Sequence, residues 1–112
     1  MNQTPPTIDL ETMQASATRA CALLKVLANP DRLLLMCQLS QGELCVNELE
    51  KRLDIRQPTL SQQLGVLRDN GLVATRRDGR SIFYSIASEE ALAVIRVLYE
   101  QFCVNLTQEK TC

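Results

Sequence analysis

The 112-residue chain has no histidine and no tryptophan, only two tyrosines and two phenylalanines, and no long apolar run. Without histidine there is no Ser-His-Asp or Cys-His catalytic unit and no histidine-ligated zinc. Acid–base chemistry would fall to carboxylates, lysines or tyrosines, and no constellation of these stands out; an enzyme is not expected. With aromatics at 4%, packing must come from Leu, Val, Ile and Ala, a composition that suits helices. No stretch approaches the ~18 apolar residues needed to cross a bilayer. The opening MNQTPPTIDLETM also lacks the basic start and apolar centre of a secretion signal. A cytoplasmic protein with no membrane partner is expected.

Five cysteines are present, Cys21, Cys37, Cys45, Cys103 and Cys112, and their spacings fit no C-x-x-C redox or zinc motif. In a reducing compartment they read as thiols rather than a disulfide framework. Neither a cofactor nor a metal is expected.

The length suits one domain with a small core, which a second subunit would help to complete. Net charge is −1, but it is unevenly distributed. From Lys51 to Arg80 there are seven basic residues against three acidic ones, a net +4, so the rest of the chain carries −5. Such a chain presents one basic surface, able to attract phosphate, on an acidic body.

Residues 1–8, with Pro5-Pro6, read as a flexible arm, 9–107 as one domain and 108–112 as a tail. A first helix is predicted from Asp9 to Ala28, broken by Asn29-Pro30. The second, Asp31–Leu39, is apolar at every position from Leu33 to Cys37, which predicts central burial. A third runs from Val46 to Leu53. A fourth opens at Gln57-Pro58 and stops at Asn70-Gly71. Leu72–Arg77 and Arg80–Ile86 read as strands joined at Asp78-Gly79, a strong hairpin signal. A fifth helix is predicted from Ser88 to about Leu106, capped by Ser88.

Helix, tight turn, helix and basic hairpin follow one another in the order of a winged helix-turn-helix. The expected fold is therefore mainly α, with five helices and a two-stranded wing. The second helix of such a pair enters the major groove by its N-terminal end. At 100° per residue, Leu60, Leu64 and Leu67 form one core stripe, while Pro58, Ser61, Gln62 and Gly65 point away. Gln62 can bond an adenine edge bidentately, and Gln57, Thr59 and Ser61 lie where bases or phosphates would be. Arg76, Arg77 and Arg80 at the wing suit phosphate clamping or minor-groove insertion. Arg56 stands where a capping residue is expected, a loss of about 1 kcal/mol, and is assigned to a phosphate instead. The competing reading is a winged domain that binds protein rather than DNA; an acidic or bulky apolar outward face would favour it, and neither is present.

The stretch ELCVNELEKRLDIRQPTLSQQLGVLRDNGLVATRRDGRSIFYSI, extending back through LLKVLANPDRLLLMCQL, resembles the ArsR/SmtB family of winged-helix repressors. The likeness covers nearly everything except the two ends. It implies a homodimer built on the first and last helices. Such a dimer binds double-stranded operator DNA at an imperfect inverted repeat, its reading helices about 34 Å apart.

Family members that sense metal or arsenite carry C-V-C where this chain has Cys45-Val46-Asn47, so one thiolate of that site is missing. Cys45 also sits at the cap of its helix, three residues before Glu48. On the residues alone, Cys37 and Cys103 read either as small core hydrophobes or as a reactive pair. Within the family the chain is most similar to the sulfide- and persulfide-responsive regulators of the BigR/SqrR/HlyU type, whose paired cysteines match those in LLLMCQL and LYEQFC. That resemblance implies a redox-sensing pair, Cys37 and Cys103, with reactive sulfur species as inducer. Sulfur or oxidant would bridge the two and release the DNA; a direct disulfide needs Cα atoms within about 7 Å, and inserted sulfur extends that reach. A metal- or arsenite-responsive repressor of the same fold is the alternative. Cys21, aligned with Ala17 and Leu24, is expected in the core, and Cys112 at the end of the tail is expected to play no part.

Overall fold

A computed structural model describes residues 9–104; the arm 1–8 and everything beyond 104, including Cys112, lie outside the described residues. Helix α1 (Leu10–Leu27) is capped by Asp9, whose carboxylate accepts from the Thr12 amide at 2.8 Å. The Thr12 side chain first, and this amide bond second, hold the Asp9 carboxyl below its ordinary pKa. Helix α2 (Pro30–Leu39) starts at the expected break. The Asn29 side chain accepts from the Arg32 amide at 3.0 Å, and proline occupies a first-turn position where no N–H is needed.

Helix α3 (Val46–Leu53) begins after Cys45, whose amide donates to the Glu48 carboxylate at 3.2 Å. Helix α4 (Thr59–Asp69) follows a short turn and ends at Asn70-Gly71. Gly71 takes φ +75, and the amides of Gly71 and Leu72 return to the carbonyls of Arg68 and Leu67, the closure that favours glycine.

The sheet differs from the expected hairpin in two respects. It has three strands, in the order β1 (Leu44–Cys45), β3 (Ser81–Ile86), β2 (Val73–Asp78), all antiparallel. A two-residue strand shows no alternation, so β1 was invisible to pattern reading. The tight turn is also one residue later than expected: Asp78 pairs with Ser81, leaving Gly79-Arg80 as the loop. Gly79 has φ +64, and the first position of such a turn is where a positive φ is required.

Helix α5 (Glu89–Leu98) is capped by the Ser88 hydroxyl, which accepts from the Ala91 amide at 3.1 Å. It does not run on as α-helix. Tyr99–Val104 form a π-helical turn. A π turn moves each backbone bond by one residue without changing which residues are apolar, so composition carries no sign of it.

The core is aliphatic. Leu35, Met36, Leu49, Leu60, Leu64, Leu67 and Ile95 are fully buried, and among the described residues no polar or charged one is buried. Two expectations fail here. Helix α2 is not enclosed on every side: Leu35, Met36 and Leu39 are buried, but Leu34 is exposed. Cys21 is exposed too, because α1 lies on the body only near its C-terminal end, through Leu23, Val26 and Leu27.

Candidate nucleic-acid interface and thiol pair

Helix α4 turns Leu60, Leu64 and Leu67 into the core, so its opposite face must look outward. Ser61 and Gln62 are exposed and Thr59 is half-buried. A Cβ added at Gly65 would meet nothing within 4 Å, so this face is open to a close-fitting partner.

Helix α4 starts at Thr59 with Pro58 as its N-cap, so Arg56 does not stand at the cap position as expected, and the side-chain bond to the first turn comes from Gln57. Gln57 Oε1 accepts from the Ser61 amide at 3.1 Å and from the Ser61 hydroxyl at 2.6 Å. One oxygen thereby satisfies a first-turn donor of α4 and fixes the Ser61 side chain. Ser61 keeps its oxygen lone pairs for a donor, while the Gln57 amide keeps its N–H groups for an acceptor. Arg56 is exposed, and its guanidinium has no partner among the described residues.

The three wing arginines are not equivalent. Arg76 Nε and Nη2 each donate to the Glu43 carboxylate at 2.8 Å, a bidentate pair. Its guanidinium also lies 4.6 Å from the ring centre of Phe83, the residue opposite it on β3. Asp78 approaches Arg76 at 3.9 Å. The charge expected for DNA is thus already engaged. Strand alternation places Arg76 and Arg77 on opposite faces of the wing. Arg77 and Arg80 are exposed and make no ion pair among the described residues. Glu43 and Phe83 had no signal in the sequence: only the fold brings them to Arg76.

Cys37 lies on α2, half-buried against the core, and Cys103 is exposed on the π-helical turn. Burial pushes the Cys37 thiol above its ordinary pKa, and the charge of Cys103 pushes it further the same way. Helix α5, which leads into the π turn, packs against α2, so the two thiols lie on neighbouring elements although they are far apart in sequence. Cys21, Cys37 and Cys45 are free thiols. Among the described residues no group of three or more Cys, Asp or Glu could hold a metal, and no helix is long and apolar enough to cross a membrane.

The sequence pattern described as "Bacterial regulatory protein, arsR family" matches residues 29–75, from the start of α2 into β2. The chain is 56% identical over 96 residues to a biofilm growth-associated repressor of Agrobacterium fabrum, covering 86% of this chain and 82% of that one. Its fold is similar to the crystal structure of the transcriptional repressor BigR from Xylella fastidiosa, with TM-score 0.79 and 47% identity over 86% of this chain and 98% of that one. It is also similar to reduced HlyU from Vibrio cholerae, with TM-score 0.81 and 41% identity over 84% and 99% of the two chains. An outward polar helix, a wing and relatives of this kind lead to one conclusion: the chain is a winged helix-turn-helix transcriptional regulator, not an enzyme, and belongs to the arsR family of bacterial regulatory proteins.

Proposed function

We propose that the protein is a dimeric repressor that holds an inverted-repeat operator with α4 and the wing, and lets go when reactive sulfur joins Cys37 to Cys103. The observation that carries this reading is the placement of one half-buried thiol on α2 and one exposed thiol on the π turn that continues α5, the helix packed against α2.

Dimerisation is supported by what the single subunit leaves uncovered. Leu10, Met13 and Leu24 of α1 are exposed, as are Val97, Tyr99 and Phe102 on α5 and the π turn, with Leu10 at 68% and Phe102 at 69%. Exposed apolar side chains gathered on α1 and on the stretch formed by α5 and the π turn are the usual mark of a surface that another chain covers. The DNA-facing set is Gln57, Thr59, Ser61 and Gln62 on and before α4, with Arg56, Arg77 and Arg80 for phosphates. Arg76 supports the wing through Glu43 instead.

The chemistry follows from the two environments. Cys103, exposed, attacks the outer sulfur of a persulfide as the thiolate; the S–S bond breaks and the lower thiol leaves with the electron pair. Cys37 then attacks the Cys103 sulfur of the resulting protein persulfide, and hydrosulfide leaves. The two protein thiols lose two electrons, and the persulfide is reduced to thiol plus sulfide. A longer sulfur chain on Cys103 gives a polysulfide bridge by the same displacement. Either bridge ties α2 to the C-terminal element on which the proposed dimer is built, and changes the separation of the two reading helices.

The test is anisotropy of reduced, peroxide-treated and polysulfide-treated protein on labelled DNA from upstream of its own gene. Polysulfide should release the parent protein, while Cys37→Ser and Cys103→Ser stay bound. Release of either variant by polysulfide defeats the pair as the switch. Stoichiometric arsenic retained after arsenite treatment, without added sulfur, would move the assignment to a metalloid sensor.

A further inference from the structure

Arg32, in the first turn of α2, makes a set of bonds that neither the core nor the outward face of α4 requires. Its Nε donates to the Val26 carbonyl at 2.6 Å and its Nη2 reaches the Lys25 carbonyl at 3.5 Å. Both are carbonyls of the last turn of α1, which have no partner further along that helix and carry the negative end of its dipole. Its Nη1 donates to Gln63 Oε1 at 2.8 Å. Gln63 is on α4, beside Gln62 in sequence and half-buried. One guanidinium therefore joins three helices.

Helix α1 has little else to orient it. Its apolar grip on the body is limited to Leu23, Val26 and Leu27. Its other polar link, Arg19 to Glu90 at 3.5 Å, leads to α5 and is open to solvent, where such pairs contribute little. Arg32 and Gln63, by contrast, are both partly buried, and a hydrogen bond from a charged donor there is directional and strong.

We infer that Arg32 is a positioning residue for operator binding: its guanidinium fixes the angle of the reading helix α4 to α1 through Gln63, without touching DNA. The inference rests on α4 being the reading helix and α1 part of the dimer, as proposed above. In a two-fold dimer any change of that angle is doubled between half-sites, so a small local loosening weakens both grips. Arg32 also lies on the helix that carries Cys37, so a sulfur bridge pulling on α2 acts on the residue that sets α4.

Lysine distinguishes a cap from a strut. An ammonium can still bond the α1 carbonyls, but it lacks the planar fork that serves those carbonyls and Gln63 together. The experiment compares Arg32→Lys, Gln63→Leu and the double variant by thermal melting and by anisotropy on the same upstream duplex across a range of salt. Arg32→Lys should melt as the parent does. Both single variants should bind about tenfold more weakly, with an unchanged salt slope because no phosphate contact is lost. The double variant should bind no more weakly than either single one. Parent-like binding by Gln63→Leu or Arg32→Lys, additive losses, or a reduced salt slope for Arg32→Lys overturns the strut. Gln62→Ala is the control for the underlying reading: if it leaves affinity and sequence preference unchanged, α4 is not the reader, and that failure is distinct from failure of the strut.

Discussion

The pairing of Arg76 with Glu43 makes the three wing arginines separable by salt. A side chain that neutralises a phosphate releases condensed counterions, and each such contact adds about 0.9 to the slope of log affinity against log salt. Arg77 and Arg80 are exposed and without an ion pair among the described residues. Replacing either with alanine in a dimer removes two contacts and should flatten the slope by about 1.8. Between 50 and 200 mM salt that amounts to about a tenfold smaller loss of affinity than the parent suffers. Arg76 behaves differently because its charge is already matched by a carboxylate at 2.8 Å on two nitrogens. Arg76→Ala should lower affinity by loosening the wing yet leave the slope near the parent's. Glu43→Gln should make it steeper, by freeing a cation. Anisotropy titrations at four or five salt concentrations provide the slopes. Equal flattening by Arg76→Ala and Arg77→Ala would refute the structural assignment of Arg76.

Three further outcomes are expected. Iodoacetamide reacts with thiolate, so Cys37 should be alkylated only at higher pH than an ordinary thiol, since burial first and the Cys103 charge second raise its pKa. Cys103→Ser should move that profile to lower pH without normalising it, as burial remains; a profile that does not move, read by mass spectrometry, counts against proximity of the two sulfurs. Gln57→Ala removes the bond to the Ser61 amide in the first turn of α4 and should cost about 1 kcal/mol in denaturant melts, whereas Arg56→Ala should not alter stability. Leu64→Ala, at a site only 1% exposed, should cost about 2–5 kcal/mol; a loss under about 1 kcal/mol would mean that α4 is not seated as described.

What could be read ahead of the fold was whatever repeats at helical spacing or punctuates it. Leu60, Leu64 and Leu67 specified the buried side of α4, and with it the exposure of Ser61 and Gln62. Asn29-Pro30 and Asn70-Gly71 marked breaks that the backbone honours. The wing was legible to within one residue, because Asp78-Gly79-Arg80 offers glycine to either of two overlapping turns and only strand register chooses between them. Contacts between distant residues were not legible. Nothing local announces that Glu43 faces Arg76, that Gln57 bonds the first turn of α4, or that Arg32 reaches α1 and α4 together. Cys21 was misplaced for a related reason: an apolar helical stripe signals that something covers it, not whether the cover belongs to the same chain.

The wholly aliphatic interior has a mechanical consequence. Leucine, isoleucine and methionine attract without direction, so a shifted helix leaves no abandoned dipole behind, although it must repack its close-fitted side chains. An interior locked by hydrogen bonds would resist that slippage, because each displaced partner would be left unsatisfied. Here the polar bonds between elements lie at the rim of the body, at Arg32–Gln63 and Arg76–Glu43, so direction is imposed from the edges rather than from the interior.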